Sequence, residues 1–220
     1  MQTLNLKFQS FLAFLAGIFF ALGFPSKYTD AFIFGPILAW IILSKLFSLH
    51  QPINFSLKRS LGLFLLFSLG YCLCGYYWIS YTVENFGGIA FPFNVLIMLL
   101  FSLIIAPHYL VFLIIFKSLK NKFSLLSPAF RSLLLAGFLT FLEVIIPQQF
   151  PSHAGHAFLV FSPYLIFGKF LGASFYSFLT YWLSLELSRI HLKSLKKLNI
   201  LKKPVFLFTS FFLIVSFCFP

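Results

Sequence analysis

Charge is what this sequence has least of. Of its 220 residues only four are Asp or Glu, and all charged residues together make up 9%, whereas soluble domains carry about 25%. The chain is 60% hydrophobic, with a mean hydropathy of +0.99, and no soluble fold has enough interior to hide that much apolar surface. We therefore predict an all-α integral membrane protein, in which residues 1–220 form a single polytopic domain without a soluble domain.

Cysteine is scarcer still, with three residues in the chain. Cys72 and Cys74 lie inside an apolar run and Cys218 lies two residues from the end, which is neither a disulfide framework nor a zinc-ligand spacing. A nucleophilic cysteine needs a base or a positive charge that stabilises its thiolate, and the sequence shows none beside these three. It also shows no phosphate-binding loop. The sequence therefore predicts no catalytic residue, no metal site and no cofactor.

Long apolar segments occupy most of the chain. An apolar helix of about 20 residues crosses the hydrocarbon core of a bilayer, and prolines such as Pro25, Pro52 and Pro204 mark the connections between segments. We predict about seven transmembrane helices, at residues 8–24, 30–48, 57–80, 92–116, 126–146, 161–187 and 204–219.

The basic residues predict the orientation of these helices. Lys and Arg total 16 and give the chain a net charge of +12. With the N-terminus in the cytoplasm, every one of the 16 except Lys27 and Lys169 falls on the cytoplasmic side, as the positive-inside rule requires. An odd number of spans then places the C-terminus outside. Because these bases face anionic lipid, we predict no nucleic-acid partner.

One polar stretch, GYYWISYTVENFGG at residues 75–88, separates two apolar runs. The predicted topology places it on the outer face, where Trp78 and the tyrosines around it fit an interfacial aromatic belt and the Gly-Gly pair permits a tight turn. The belt does not account for Glu84 and Asn85. These two residues are either a solvated turn or part of a docking site for an outer-face partner.

Ionisable residues inside membrane segments are costly and are candidate functional residues by default. Glu143 lies about one turn inside the outer end of its segment, and Lys169 lies about two turns inside the outer end of the next. In the structural interpretation the two form an ion pair, or Lys169 extends outward to the headgroups. In the functional interpretation Lys169 binds a phospholipid phosphate while Glu143 orients its neighbours.

Two histidines, His153 and His156, lie in the loop that follows Glu143. A His-x-x-His pair can ligate a metal, but two ligands do not make a site. We interpret the pair as loop packing or headgroup contact, with metal binding as the alternative.

Several short motifs resemble one known family in the same order along the chain. They are LGFP at 22–25, Tyr-Trp followed by Phe-Gly-Gly at 77–88, LEVIIPQQFPSHAGHAF at 142–158 and SPYLIFGKFLGASFYSF at 162–178. Together with seven spans they resemble the N-terminal membrane region of apolipoprotein N-acyltransferase. Two positions depart from the family pattern: Ile146 stands where an Arg is usual, and Ser152 where a Trp is usual.

The resemblance implies a membrane module of the bacterial inner membrane that serves lipoprotein maturation. In that family an acyl chain moves from a phospholipid to the N-terminus of a lipoprotein, through a Glu-Lys-Cys triad on a nitrilase-like domain. No residue here matches the triad, so we expect the catalytic part to be missing or on another chain. Phospholipid, a nitrilase-like chain and a lipoprotein are the implied partners. The alternatives are a non-catalytic scaffold for a lipid-linked glycosyltransferase, or a lipid transporter.

Overall fold

The predicted all-α class is confirmed. The structure is a computed structural model that describes residues 5–24, 32–150, 152–161 and 166–189, with only the backbone of 159–161 and 166–169. Within these ranges there is no strand, and two 3₁₀ segments accompany eight α-helices. The helices are α1 (Leu6–Leu22), α2 (Phe34–Leu46), α3 (Leu57–Gly75), α4 (Trp78–Gly87), α5 (Phe93–Phe101), α6 (Pro107–Leu125), α7 (Pro128–Ile145) and α8 (Ile166–Ser188).

Two of these helices, α3 and α7, are long and apolar enough to cross a membrane by length and composition. The apolar helices α1 and α2 are shorter. Three predicted segments agree with single observed helices to within a few residues, namely those that correspond to α1, α2 and α7. The predicted segment 161–187 corresponds to α8, which is kinked at Gly172, where φ is 65° and ψ is −169°. The predicted segment 204–219 lies outside the described residues, and the number of spans and their orientation stay predictions.

The third and fourth predicted segments are not single helices. The segment 57–80 ends as a helix at Gly75 and restarts as α4 at Trp78, after Tyr76 takes a φ of −127°. The segment 92–116 is interrupted between α5 and α6. Pro107 has no backbone N–H to continue the preceding helix and is well suited to the first turn of a new one. The α4 and α5 helices pack on each other as a hairpin.

Helices α1 and α3 pack closely against each other. A Cβ added at Gly17 would overlap the carbonyl oxygen of Phe67, and one added at Gly70 would overlap the carbonyl oxygen of Phe14. The two backbones therefore touch at reciprocal glycines. Small residues at such crossings let membrane helices gain van der Waals contact that the hydrophobic effect does not supply in lipid.

Arg131, in the first turn of α7, holds together the end of the bundle that is predicted to face the cytoplasm. The residue is 7% exposed, and its guanidinium donates to the carbonyl oxygens of Phe123 at 2.7 Å, His50 at 2.8 Å, Leu126 at 3.0 Å and Ser124 at 3.3 Å. A residue counted from sequence only as an orientation determinant thus closes both the α6–α7 turn and the α2–α3 connection.

The glycine crossing can be tested by adding a single methyl group. We expect Gly70→Ala to lower the free energy of unfolding by about 1–3 kcal/mol, because the methyl group overpacks the contact with α1. Gly62→Ala on the same helix is the matched control, since a Cβ there meets nothing within 4 Å. That control is expected to be neutral or to stabilise by up to about 1 kcal/mol. Thermal unfolding of both variants in one detergent makes the measurement, and equal stability of Gly70→Ala and wild type would contradict the close packing.

Candidate functional site

Glu143 lies near the C-terminal end of α7 and is almost completely buried. The helix is capped by the Ser127 hydroxyl, begins at Pro128 and carries Glu143 two residues before its end. Glu143 is 1% exposed, and its Oε1 accepts a hydrogen bond from the backbone N–H of Ala154 at 2.6 Å. Its Oε2 has no hydrogen-bond partner among the described residues. A buried carboxylate is costly unless it is hydrogen-bonded, so the Ala154 amide is a structural requirement.

The loop that supplies this amide, residues 148–150 and 152–158, is here called the strap. Its first residue, Gln148, donates through Nε2 to the carbonyl oxygen of Glu143 at 3.0 Å. Farther along, the N–H of Gly155 donates to Ser177 Oγ on α8 at 2.8 Å. A Cβ at Gly155 would overlap the α8 backbone, which is why a glycine is needed there. The strap is therefore fastened to both α7 and α8.

The two strap histidines differ in their electrostatic surroundings. His153 Nδ1 lies 3.8 Å from Glu143 Oε1, which is an ion-pair contact and too long for a hydrogen bond. Glu143 raises the pKa of His153 above its ordinary value of 6.5, against the opposing effect of partial burial. Burial and the neighbouring His153 lower the pKa of His156 to about 4. At neutral pH His156 is thus uncharged, while the charge of His153 depends on its carboxylate partner.

The histidines pack on each other and do not form a metal site with other described residues. Their ring centroids lie 5.0 Å apart at 85°, and the ring of His156 also meets Phe24. No three His, Cys, Asp or Glu side chains come together within the part of the chain that the structure describes. The loop-packing interpretation is therefore the one that the observed contacts support.

A buried network of aromatic hydroxyls adjoins Glu143. The hydroxyls of Tyr109 on α6 and Tyr181 on α8 lie 2.8 Å apart, and Trp40 Nε1 on α2 donates to the Tyr109 oxygen at 3.3 Å. Both tyrosines interact electrostatically with Glu143. His108, beside Tyr109, is 1% exposed, and neither ring nitrogen has a partner among the described residues. Polar groups of α2, α6 and α8 therefore form a buried network, and its two tyrosines interact with the carboxylate on α7.

Lys169 lies in the first turn of α8, and its side chain lies outside the described residues. The predicted ion pair with Glu143 accordingly stays a prediction. What the structure does show is that Glu143 already has the strap as a partner.

Trp78 is part of an aromatic cluster that the sequence predicted only as a belt. It lies 39% exposed at the start of α4, and its ring centroid is 5.3 Å from that of Phe150 on the strap. Tyr76 and Phe101 lie 5.7 and 5.8 Å from the same ring. We call these four residues the aromatic cluster. Through Phe150 it joins the strap to the α4–α5 hairpin.

Glu84 and Asn85 are both exposed but contact different things. Glu84 Oε2 accepts a hydrogen bond from Asn94 Nδ2 at 2.8 Å, and Asn94 is 5% exposed at the start of α5. Asn85 donates to the carbonyl oxygen of Tyr81 in its own helix. Glu84 therefore ties α4 to α5, which is a structural role that a solvated turn does not have. Docking of a partner here stays a prediction.

Sequence reasoning missed the residues that complete these contacts. Asn94 stands in an apolar run and Phe150 among the polar and proline residues of the loop, and nothing in the sequence around either residue indicates its partner. Ala154 acts through its backbone amide, which carries no side-chain signal. Only the prolines around the strap indicated that a loop follows Glu143.

The family model for the apolipoprotein N-acyltransferase N-terminal domain matches residues 11–186. The match runs from within α1 to near the end of α8 and includes all of the candidate residues described above. Among curated proteins, none matches the sequence.

The Glu84–Asn94 contact predicts how the hairpin responds to mutation. We expect Glu84→Ala to speed chymotrypsin cleavage after the exposed Phe86 about three- to tenfold, because loss of the hydrogen bond to a charged group favours local opening of α4. Asn85→Ala is the control, since its bond stays within α4, and Glu84→Gln is expected to retain most of the protection because it keeps an acceptor oxygen. Equal cleavage rates in Glu84→Ala and Asn85→Ala would contradict the proposal that the Glu84–Asn94 hydrogen bond holds α4 against α5.

Proposed function

We propose a function from one premise: this chain belongs to the family of the apolipoprotein N-acyltransferase N-terminal domain, whose model matches residues 11–186. The chain is on that ground an N-acyltransferase-related membrane module. Its proposed role is to support, in the bacterial inner membrane, the transfer of an acyl chain from a phospholipid to the N-terminus of a lipoprotein. The family match is the observation that carries this proposal.

The bond-forming chemistry is proposed to belong to a nitrilase-like domain that these residues do not include. Cys72 is buried, and its thiol donates to the carbonyl oxygen of Met98 at 3.2 Å. Glu143 meets a backbone amide and His153, which is not the environment of a carboxylate that activates a thiol. The described residues therefore support a membrane role more than a catalytic one.

The lipid-contacting part of this role is proposed for α7 and α8. Phe141, Val144 and Ile145 on α7 are more than half exposed, as expected of side chains that face acyl chains. A groove of about 310 Å³ lies between the two helices and is lined by Gly137, Thr140, Leu171, Ser174, Phe175 and Phe178. Lys169 precedes this groove along α8. A lysine that precedes an apolar groove in the sequence of one helix suits a phospholipid, whose phosphate would bind Lys169 while an acyl chain lies against the helices.

The partnership is tested by gentle extraction of the N-terminally tagged protein from its native membrane. We expect a nitrilase-like domain to be recovered in stoichiometric amount, on a separate chain or on the same polypeptide. Stoichiometric recovery of a cytoplasmic glycosyltransferase instead would favour the scaffold role and contradict this proposal. Recovery of neither would also overturn it.

The lipid site is tested by counting retained phospholipid with native mass spectrometry. We expect Lys169→Ala to lose about 1 kcal/mol of attraction to an anionic headgroup, roughly a fivefold drop in occupancy. Lys117→Ala, an exposed lysine of α6, is the control with the same loss of charge. If the two variants retain equal amounts of phospholipid, the effect comes from net charge alone and the proposed site at Lys169 is contradicted.

A further inference from the structure

The strap contacts both the buried carboxylate and the α4–α5 hairpin. At one end Phe150 packs against Trp78, 5.3 Å between ring centroids, and against Tyr76 and Phe101. At the other end Ala154 donates to Glu143 and Gly155 donates to Ser177. Any change that loosens the strap at Glu143 therefore acts on a segment that is also anchored to the aromatic cluster.

The hydrogen bonds at Glu143 compensate the charge of its carboxylate only in part. Oε1 has the Ala154 amide at 2.6 Å, but His153 Nδ1, at 3.8 Å from the same oxygen, makes no hydrogen bond. Oε2 makes no hydrogen bond within the described residues, although the Tyr181 hydroxyl interacts with the carboxylate. One backbone amide and a neutral hydroxyl leave much of the charge of an ionised carboxylate without compensation. The cationic form of His153 supplies the missing positive charge, and its side chain is 21% exposed, so it can exchange a proton with water.

We infer that the strap is a proton-controlled latch, which protonated His153 closes on Glu143 and which transmits its state through Phe150 to the α4–α5 hairpin. This device does not depend on the acyltransferase role. Loss of the proton from His153 removes the cation from the carboxylate, weakens the attachment of Ala154 and frees Phe150 to leave the aromatic cluster.

The direction of the pH response follows from the groups around His153. Glu143 on α7 favours the cation, whereas His156 on the strap and His108 on α6 face it as further titratable groups. Tyr109 and Tyr181 face Glu143 itself. Because the pKa of His153 is raised above 6.5 in the folded protein, its stabilisation is fully present below pH 6.5 and is lost as pH rises through the raised pKa. The latch is therefore closed in acid and loosened in mild base.

The latch is tested by hydrogen–deuterium exchange of the detergent-solubilised full chain between about pH 6 and about pH 8.5. After correction for the intrinsic pH dependence of exchange, we expect the strap amides of residues 152–158 to lose protection about two- to fivefold over this range, as for a partly exposed ion pair. The response is expected to vanish in His153→Asn and in Glu143→Gln, which keeps the shape and an acceptor for Ala154. His156→Asn is the matched control, since His156 is uncharged throughout this range, and its response is expected to equal that of wild type.

The same experiment measures the effect of the latch on the α4–α5 hairpin, through the exchange protection of the α4 amides. We expect them to show a smaller pH response, which Phe150→Ala abolishes while the strap keeps its own. Strap protection that is independent of pH in wild type, or a pH response that persists in His153→Asn, would overturn the latch. A response in the strap with none in α4 would overturn its transmission to the hairpin.

Discussion

A carboxylate buried near the end of an apolar helix sets the main constraint on this structure. Glu143 has almost no access to water, so its carboxylate cannot be hydrated as it would be at a protein surface. The free energy of its burial must be offset by donors, and the fold supplies one from the backbone of the following loop. The path of the strap follows from this requirement, because Ala154 has to return to the helix that the chain has just left.

The same requirement explains details that would otherwise look unrelated. For Ala154 to reach Glu143, the strap must pass directly against α8, where only a glycine fits at position 155. The Ser177 hydroxyl then receives the N–H of that glycine. Arg131, at the opposite end of α7, is the cationic counterpart of Glu143. Its buried guanidinium donates hydrogen bonds to four backbone carbonyls. One helix thus carries a buried charge at each end, and each charge organises a loop through backbone groups.

Composition and hydropathy predict the helical class and most helix positions, because apolar length is a property of the sequence alone. They do not predict the break after Gly75, because the predicted segment continues to residue 80 through the aromatic residues at the start of the polar stretch. Nor do they predict the interruption between α5 and α6, where residues 102–106 stay mostly apolar. The ionisable residue Glu143 could be selected from sequence by its cost in a membrane segment. Its partner could not be, because the partner is a backbone amide 11 residues away whose position depends on the folded loop. Glu84 could likewise be selected as a candidate from the sequence. Its contact with Asn94 could not be predicted, because it depends on how α4 and α5 pack in the folded hairpin.

The hydrogen bond between Glu143 and the strap also bears on which candidate residue could contact a lipid headgroup. A carboxylate held by the strap and surrounded by Tyr109 and Tyr181 is enclosed, so it is poorly placed to meet a lipid headgroup directly. Headgroup contact is instead proposed for Lys169, which stands two residues before the groove residue Leu171. Glu143 then acts on its surroundings by fixing the strap, and the strap fixes Phe150 against the hairpin. An interior charge in this bundle consequently influences its predicted outer face through the position of a loop, without any contact of its own with that face.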